Sequence, residues 1–187
     1  EGLQRLVAVR LDRTAPDLDS RVRAVLAEIL GARLRTYAAR GVAGIEPYVR
    51  EGGRVVDPRI ELRSALASLS FVNGTFPGVL EQLAAAGPEC RYYWMERSVE
   101  HENVLALSAE LRTRGAASAL GAEIHFYASS QYNSMLTLVG VIPYAGASLV
   151  FAVNHTFTDQ VTGIGSSIRR SIARNLIATQ LAGQLEE

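Results

Sequence analysis

The chain has 187 residues, 48% of them hydrophobic, and its nineteen basic residues balance nineteen acidic ones. That length supports one ordinary core, and the neutral balance gives no field to draw nucleic acid or an anionic membrane. The single cysteine, Cys90, excludes an internal disulfide and a cysteine-based zinc site. All nineteen basic residues are Arg, which Arg-, Ala- and Gly-rich coding explains before any phosphate chemistry does. A single domain over residues 1–187 is expected, with a helical part at 17–88 and a sheet plus C-terminal helix at 89–187.

In chain order, Leu3 to Leu11 reads as a short strand or a linker end, and Pro16 sits in a turn ahead of a helix. Asp19 or Ser20 can cap that helix. Val22, Val25, Leu26, Ile29, Leu34, Tyr37 and Ala38 recur at helical spacing, and Gly41 is placed to end it. Arg21, Arg23, Arg33, Arg35 and Arg40 make a solvated opposite face. Gly41 to Asp57 reads as loop. Asp57-Pro58 then opens a second helix with Ile60, Leu62, Leu66 and Leu69 on its apolar side. The turn Asn73 to Pro77 leads into a third helix from Gly78 to Ala86.

The period then changes to two. Arg91–Val99, Asn103–Arg112, Leu120–Ser129, Ser134–Ile142 and Ser148–Phe157 read as five strands, joined by connections short enough for sequential antiparallel pairing. An amphipathic helix from about Ser166 to Leu185 closes the chain, with Ile168, Ile172, Leu176 and Leu181 in its stripe. The fold class is therefore α+β: N-terminal helices, then a five-stranded antiparallel sheet packed on a long C-terminal helix, similar to the helix-grip architecture.

From Ile124 to Thr158 there is no Asp, Glu, Lys or Arg in thirty-five consecutive residues. The Pro143-Tyr144-Ala145-Gly146 break argues for a strand hairpin here over a membrane helix. On the second and third strands, Leu105, Leu107, Ala109, Leu111 and Ile124, Phe126, Ala128 share an apolar face. Ser108, Glu110, Glu123, His125 and Tyr127 lie opposite. Both faces of the last two strands are apolar, with Met135, Val139 and Val141 against Leu136, Leu138 and Ile142, then Leu149, Phe151 and Val153 against Val150 and Ala152. Something besides the terminal helix must cover the second face.

No Ser-His-Asp pattern, nucleophile elbow or phosphate-loop motif is present, so no catalytic residue and no cofactor are expected. The hairpin-tip residues Glu96, Glu100, His101 and Glu102 read as solvated rather than as metal ligands. Glu110, Glu123 and His125 can pair across strands and act on a substrate or orient a polar head group. The expected ligand contacts are Glu110, His125, Tyr127, Met135 and Phe151. A weaker anion site is expected at Gly163, Gly165 and Ser166 with Arg170 and Arg174, where small residues expose backbone N–H groups at a helix start.

The order Tyr37, Gly41, Tyr48; Tyr93-Trp94, Glu96; Phe126-Tyr127-Ala128-Ser129, Tyr132; Val150-Phe151, Asn154, Asp159, Gly163, Gly165; and Arg170, Arg174 resembles a family of uncharacterised bacterial exported proteins. The resemblance runs from about Pro16 through the C-terminal helix, with departures at Met95 and Gln131, where relatives often carry Lys or His. It implies export to the bacterial envelope or periplasm, with the cytoplasm as the alternative, and an N-terminal segment upstream of Glu1. The expected function is a non-enzymatic binding module for a lipid or other apolar ligand. Two alternatives are a hydrolase or isomerase using Glu110, Glu123 and His125, and a structural protein that self-associates through its apolar hairpin. A second copy or the upstream segment would then be the partner.

Overall fold

The first helix begins after a turn at Pro16 and Asp17 and runs unbroken to Gly41. In the computed structural model, which describes residues 16–50, 53–86, 89–99 and 102–158, this helix, α1, spans Leu18–Arg40. It starts just before the expected caps, and Asp19 instead lies in the first turn, where its charge favours the helix dipole. Gly41 takes φ 60 and returns its N–H to the Tyr37 carbonyl. A Cβ there would stand 1.8 Å from the Ala84 carbonyl oxygen, so close backbone approach as well as conformation requires glycine. Only Ile29, Arg33 and Tyr37 of α1 are buried, a narrow i, i+4, i+8 stripe. Arg33 was expected in solvent. It lies instead over the rings of Tyr48 and Tyr127, 5.4 and 5.2 Å from their centroids, and donates to the Glu46 carbonyl at 2.9 Å.

Within the expected loop after Gly41, a short 3₁₀ turn at Gly41–Gly44 leads to a two-stranded hairpin, β1 (Tyr48–Val49) with β2 (Val55–Val56). Helix α2, Pro58–Ala67, starts as its sequence predicts: the Asp57 carboxylate accepts from the Arg59 N–H at 3.1 Å, and Pro58 sits where no N–H is needed. The hydrogen bonds from Arg59 hold the Asp57 carboxyl below its ordinary pKa. Two short helices follow, α3 (Ser70–Thr75) and α4 (Val79–Ala85), the latter ended by Ala86 at φ 54.

The sheet is an antiparallel meander, β3 (Arg91–Val99), β4 (Glu102–Arg114), β5 (Ala119–Ala128), β6 (Ser134–Tyr144) and β7 (Ala147–Phe157), paired in chain order. β6 and β7 are joined by Ala145-Gly146, both at positive φ (48 and 81), the geometry that matches strand twist. Pro143 lies opposite Ser148, one place from the turn-closing pair Tyr144 and Ala147. In that register its missing N–H would point away from β7, and β5 pairing already stops at Val141 opposite Ala119, so the ladder loses nothing.

The helices cover one face of this sheet. Tyr37, Leu62, Leu69, Val72, Leu80 and Leu83 form one core with Leu107, Ala109, Leu111, Ile124, Phe126, Leu136 and Leu138. At its centre Tyr37 stacks on Phe126, ring centroids 4.2 Å apart and planes within 3°. Burial raises the Tyr37 phenol well above its ordinary pKa, and its O–H donates to the Leu83 carbonyl at 3.1 Å. Gly140 makes room for the Phe151 ring on this side, since a Cβ there would meet its Cζ at 2.4 Å. The layer that packs on the sheet is thus N-terminal among the described residues. The C-terminal helix expected from Ser166 and the Leu3–Leu11 segment lie outside them.

One register shift reorganises the faces. Leu107 pairs with Tyr127 while the next residue, Ser108, pairs with His125, which leaves Phe126 as an extra residue on β5. At such a bulge two consecutive side chains turn to one side. Phe126 and Tyr127 both pack toward the helices, and Ala128 moves to the opposite face with Val104, Tyr132 and Met135. Strict alternation had placed Tyr127 and Ala128 the other way round.

Candidate functional site

The outer face of the sheet, opposite the helices, carries Ser108, Glu110, Glu123 and His125 as alternation assigns them. His125 is wholly buried, and both ring nitrogens are engaged: Nε2 with Glu123 Oε1 at 2.8 Å and Nδ1 with the Tyr132 hydroxyl at 2.7 Å. Tyr93 donates to the same Glu123 oxygen at 2.6 Å. The chain Tyr93–Glu123–His125–Tyr132 is consistent when Glu123 is ionised and the imidazole neutral, with Nε2–H donated to the carboxylate and the phenol donated to Nδ1. The hydrogen bond from His125, aided by that from Tyr93, lowers the Glu123 pKa. Burial pushes the Tyr132 phenol up to about 12 and that of Tyr93 higher still, aided there by the bond to Glu123. Glu123 therefore stays ionised and the two phenols stay protonated at neutral pH.

Tyr132 reaches His125 because its loop, between β5 and β6, is anchored from the other side. Arg50 donates to the Tyr48 hydroxyl at 3.3 Å, to the Ala128 carbonyl at 3.2 Å and to the Tyr132 carbonyl. Tyr48 donates to the Asn133 carbonyl at 2.9 Å, and its own pKa is raised to about 12 by burial. Glu61 of α2 accepts from Asn133 at 2.9 Å and from Ser134 at 2.5 Å. Gln131 takes φ 65 inside this clasp.

Beside the chain lies an open depression of about 340 Å³, lined by Glu110, Arg112, Gly121, Ala122, Glu123, Thr137 and Val139. Glu110 stands directly opposite Glu123 across β4 and β5. Arg112 donates to Glu110, and Arg91 lies 3.9 Å from the same carboxylate. Toward the hairpin tip the face becomes apolar and exposed, with Val139 at 48% and Val150 at 49% of full accessibility. Gly121 forms part of the floor. A Cβ on it would meet nothing nearer than the Val139 carbonyl at 3.9 Å, so neither packing nor backbone conformation demands glycine there.

The expected ligand residues are divided between the two faces. Glu110, His125 and Met135 lie on the outer face, with Met135 opposite His125 and nearly buried under Tyr132 and Val104. Tyr127 is turned to the helix side by the bulge, its ring 5.2 Å from that of Tyr48, and Phe151 packs there against Phe71 and Phe76. The anion site expected at Gly163, Gly165, Ser166, Arg170 and Arg174 lies outside the described residues, as do Glu100 and His101. Among the described residues no three side chains of the metal-binding types converge, and no helix is long and apolar enough to cross a membrane.

Arg50, Tyr93 and Tyr132 were not anticipated as site residues. A signal existed for the two tyrosines: a histidine on a strand bound for the interior must find partners for both nitrogens, and Tyr132 and Tyr93 were candidates in flanking segments. In comparisons with known proteins, no family model, no curated protein and no solved structure matches this chain.

Proposed function

We propose that the chain is a non-enzymatic binding module that holds a lipid-like, amphipathic ligand on the outer face of its sheet. The observation that carries this is the sterically free glycine in mid-strand: Gly121 keeps open the floor of a depression that joins Glu110, Arg112 and Glu123 to exposed Val139. A glycine inside a strand costs stability, and one that packing does not require marks a close approach by something else. The apolar part of the ligand would lie along Val139, Val141, Val150 and Ala152, which share this face in register. Binding is favoured over catalysis because His125 is enclosed and has no ring nitrogen left to take a proton from substrate. The motif resemblance is what supports proposing the bacterial envelope or periplasm as its location. Mass spectrometry of an organic extract of the purified chain tests the proposal. A stoichiometric lipid, lost from Gly121→Leu, supports it; a dry extract with no lipid taken up on reconstitution sinks it.

A second reading rests on β7. This edge strand has eleven residues and no Asp, Glu, Lys or Arg. Among the described residues nothing pairs with its free side, and natural edges usually carry a charge or proline to prevent pairing with another chain. Self-association through β7 would give a dimer by light scattering that Val150→Lys dissociates. A monomer at all accessible concentrations would exclude it.

A further inference from the structure

Assuming the outer face is the ligand site, we propose that the ligand's head is a neutral, hydroxyl-rich group, a sugar or other polyol, seated on a polar ladder that crosses all five strands. The ladder is Arg91, Glu110, Glu123, Thr137 and Asn154, each directly opposite the next in register. Because residues opposite one another in paired strands share a face, these side chains form one row perpendicular to the strands. The adjoining row toward the hairpin tip is Arg112, Gly121, Val139 and Ala152. A polar row thus borders one that turns apolar past Arg112, and Gly121 in that second row leaves the floor open.

What the ladder has left to offer decides the chemistry. Glu123 Oε1 is taken by Tyr93 and His125, whereas Oε2 accepts from no described residue. Asn154 donates to Thr137 Oγ1 at 2.9 Å, so the Thr137 hydroxyl hydrogen is free to donate outward. Arg112 uses Nε on Glu110 and has further N–H donors on its guanidinium. The unused set is one carboxylate acceptor, one hydroxyl donor and guanidinium donors within one depression. Charge does not favour a cationic head. Arg91 and Arg112 both face Glu110, and Arg97 acts on Glu123 from β3, so two carboxylates meet three arginines and no net negative field attracts an ammonium. The open Glu123 oxygen in turn repels a phosphate or sulfate. Hydroxyl groups both donate and accept, and neighbouring hydroxyls can bridge a carboxylate and a guanidinium.

The test uses the full chain and three amphiphiles with one octyl tail, each below its micelle threshold: octyl glucoside, octyltrimethylammonium and octyl sulfate. Binding is followed by amide chemical shifts. Octyl glucoside should move the signals of Gly121, Glu123 and Thr137 and bind roughly tenfold tighter than either charged amphiphile, the margin one charge-assisted hydrogen bond supplies. Thr137→Val and Glu123→Gln should each weaken it several-fold, while Gly121→Ala, which fits without strain, should already reduce it by filling part of the floor. Tighter binding of a charged amphiphile would overturn the head-group assignment. So would equal binding of all three with silent Glu123 and Thr137 variants, which would leave the apolar-ligand reading standing. No binding of any amphiphile to folded protein would overturn both.

Discussion

Tyr37 lies flat on Phe126, and this one aromatic pair joins α1, the longest helix among the described residues, to the central strand of the sheet. The pair does two jobs. It buries large apolar surface, and it places a phenol whose hydrogen bond to Leu83 ties α4 into the same layer. Tyr37→Ala should therefore cost about 3–5 kcal/mol, the range for truncating a large buried aromatic, and Tyr37→Phe only about 1 kcal/mol for the hydroxyl. Urea denaturation of the two variants separates the contributions; equal losses would mean the stack itself carries little.

Two glycines on adjacent strands should respond in opposite directions. Gly140→Ala drives a methyl into the Phe151 ring and is expected to cost about 1–3 kcal/mol by overpacking. Gly121→Ala meets only open space and should gain about 0.5–1 kcal/mol, because alanine loses less backbone freedom on folding. Thermal melts of both variants check this. A destabilised Gly121→Ala protein would show that the depression's glycine is structural after all.

The lowered pKa of Glu123 makes a signed prediction about pH. A carboxyl that is more acidic folded than unfolded contributes stability above its unfolded pKa, near the ordinary glutamate value, and loses it as the pH falls through the folded value. Wild type should exceed Glu123→Gln in stability at neutral pH, and the gap should narrow on acidification below about 4.5, the reference value for the group. Chemical denaturation from pH 7 to pH 3 measures the gap. A difference that stays constant across that range would show the carboxylate's hydrogen bonds from His125 and Tyr93 to be energetically idle.

Arg50 secures the β5–β6 loop through two backbone carbonyls and the Tyr48 hydroxyl. Arg50→Met keeps much of the side chain's bulk but removes the donors, leaving partly buried carbonyls unpaired. A loss of about 2–3 kcal/mol is expected, with faster hydrogen exchange at Tyr132 and Asn133. Exchange rates unchanged in this loop would mean Tyr48 and Glu61 are enough to hold it.

The strands were legible in the sequence because period-two patterning and short connections leave little freedom; Arg91–Val99 is found with the bounds expected for it. The two-residue turn at Ala145-Gly146 likewise follows from local chemistry. What alternation could not show is the register shift at Leu107/Ser108, since Ile124 to Ala128 read as an unbroken alternating strand and the extra residue exists only relative to β4. Tyr127 was placed on the wrong face for that reason. Arg33 was misplaced because charge pattern alone puts arginine in solvent, whereas two tyrosine rings distant in sequence give its guanidinium an apolar-compatible seat. The Glu123–His125 pair was visible as residue types; its closure by Tyr93 and Tyr132 depended on a neighbouring strand and an anchored loop.

The meander's chain-order pairing has a kinetic side. Every strand contact closes over a short loop, whereas the Tyr37–Phe126 stack joins segments far apart in sequence and must overcome a much larger closure entropy. The sheet should therefore assemble first, with β6 and β7 zipping from their tight turn, and the helices should dock afterwards as a lagging layer. Mutations in the β6–β7 hairpin would then slow folding, and Tyr37→Phe would chiefly speed unfolding. Until that docking, the chain presents an uncharged β-hairpin to its surroundings, so its exposure to misassembly is set by how quickly α1 arrives.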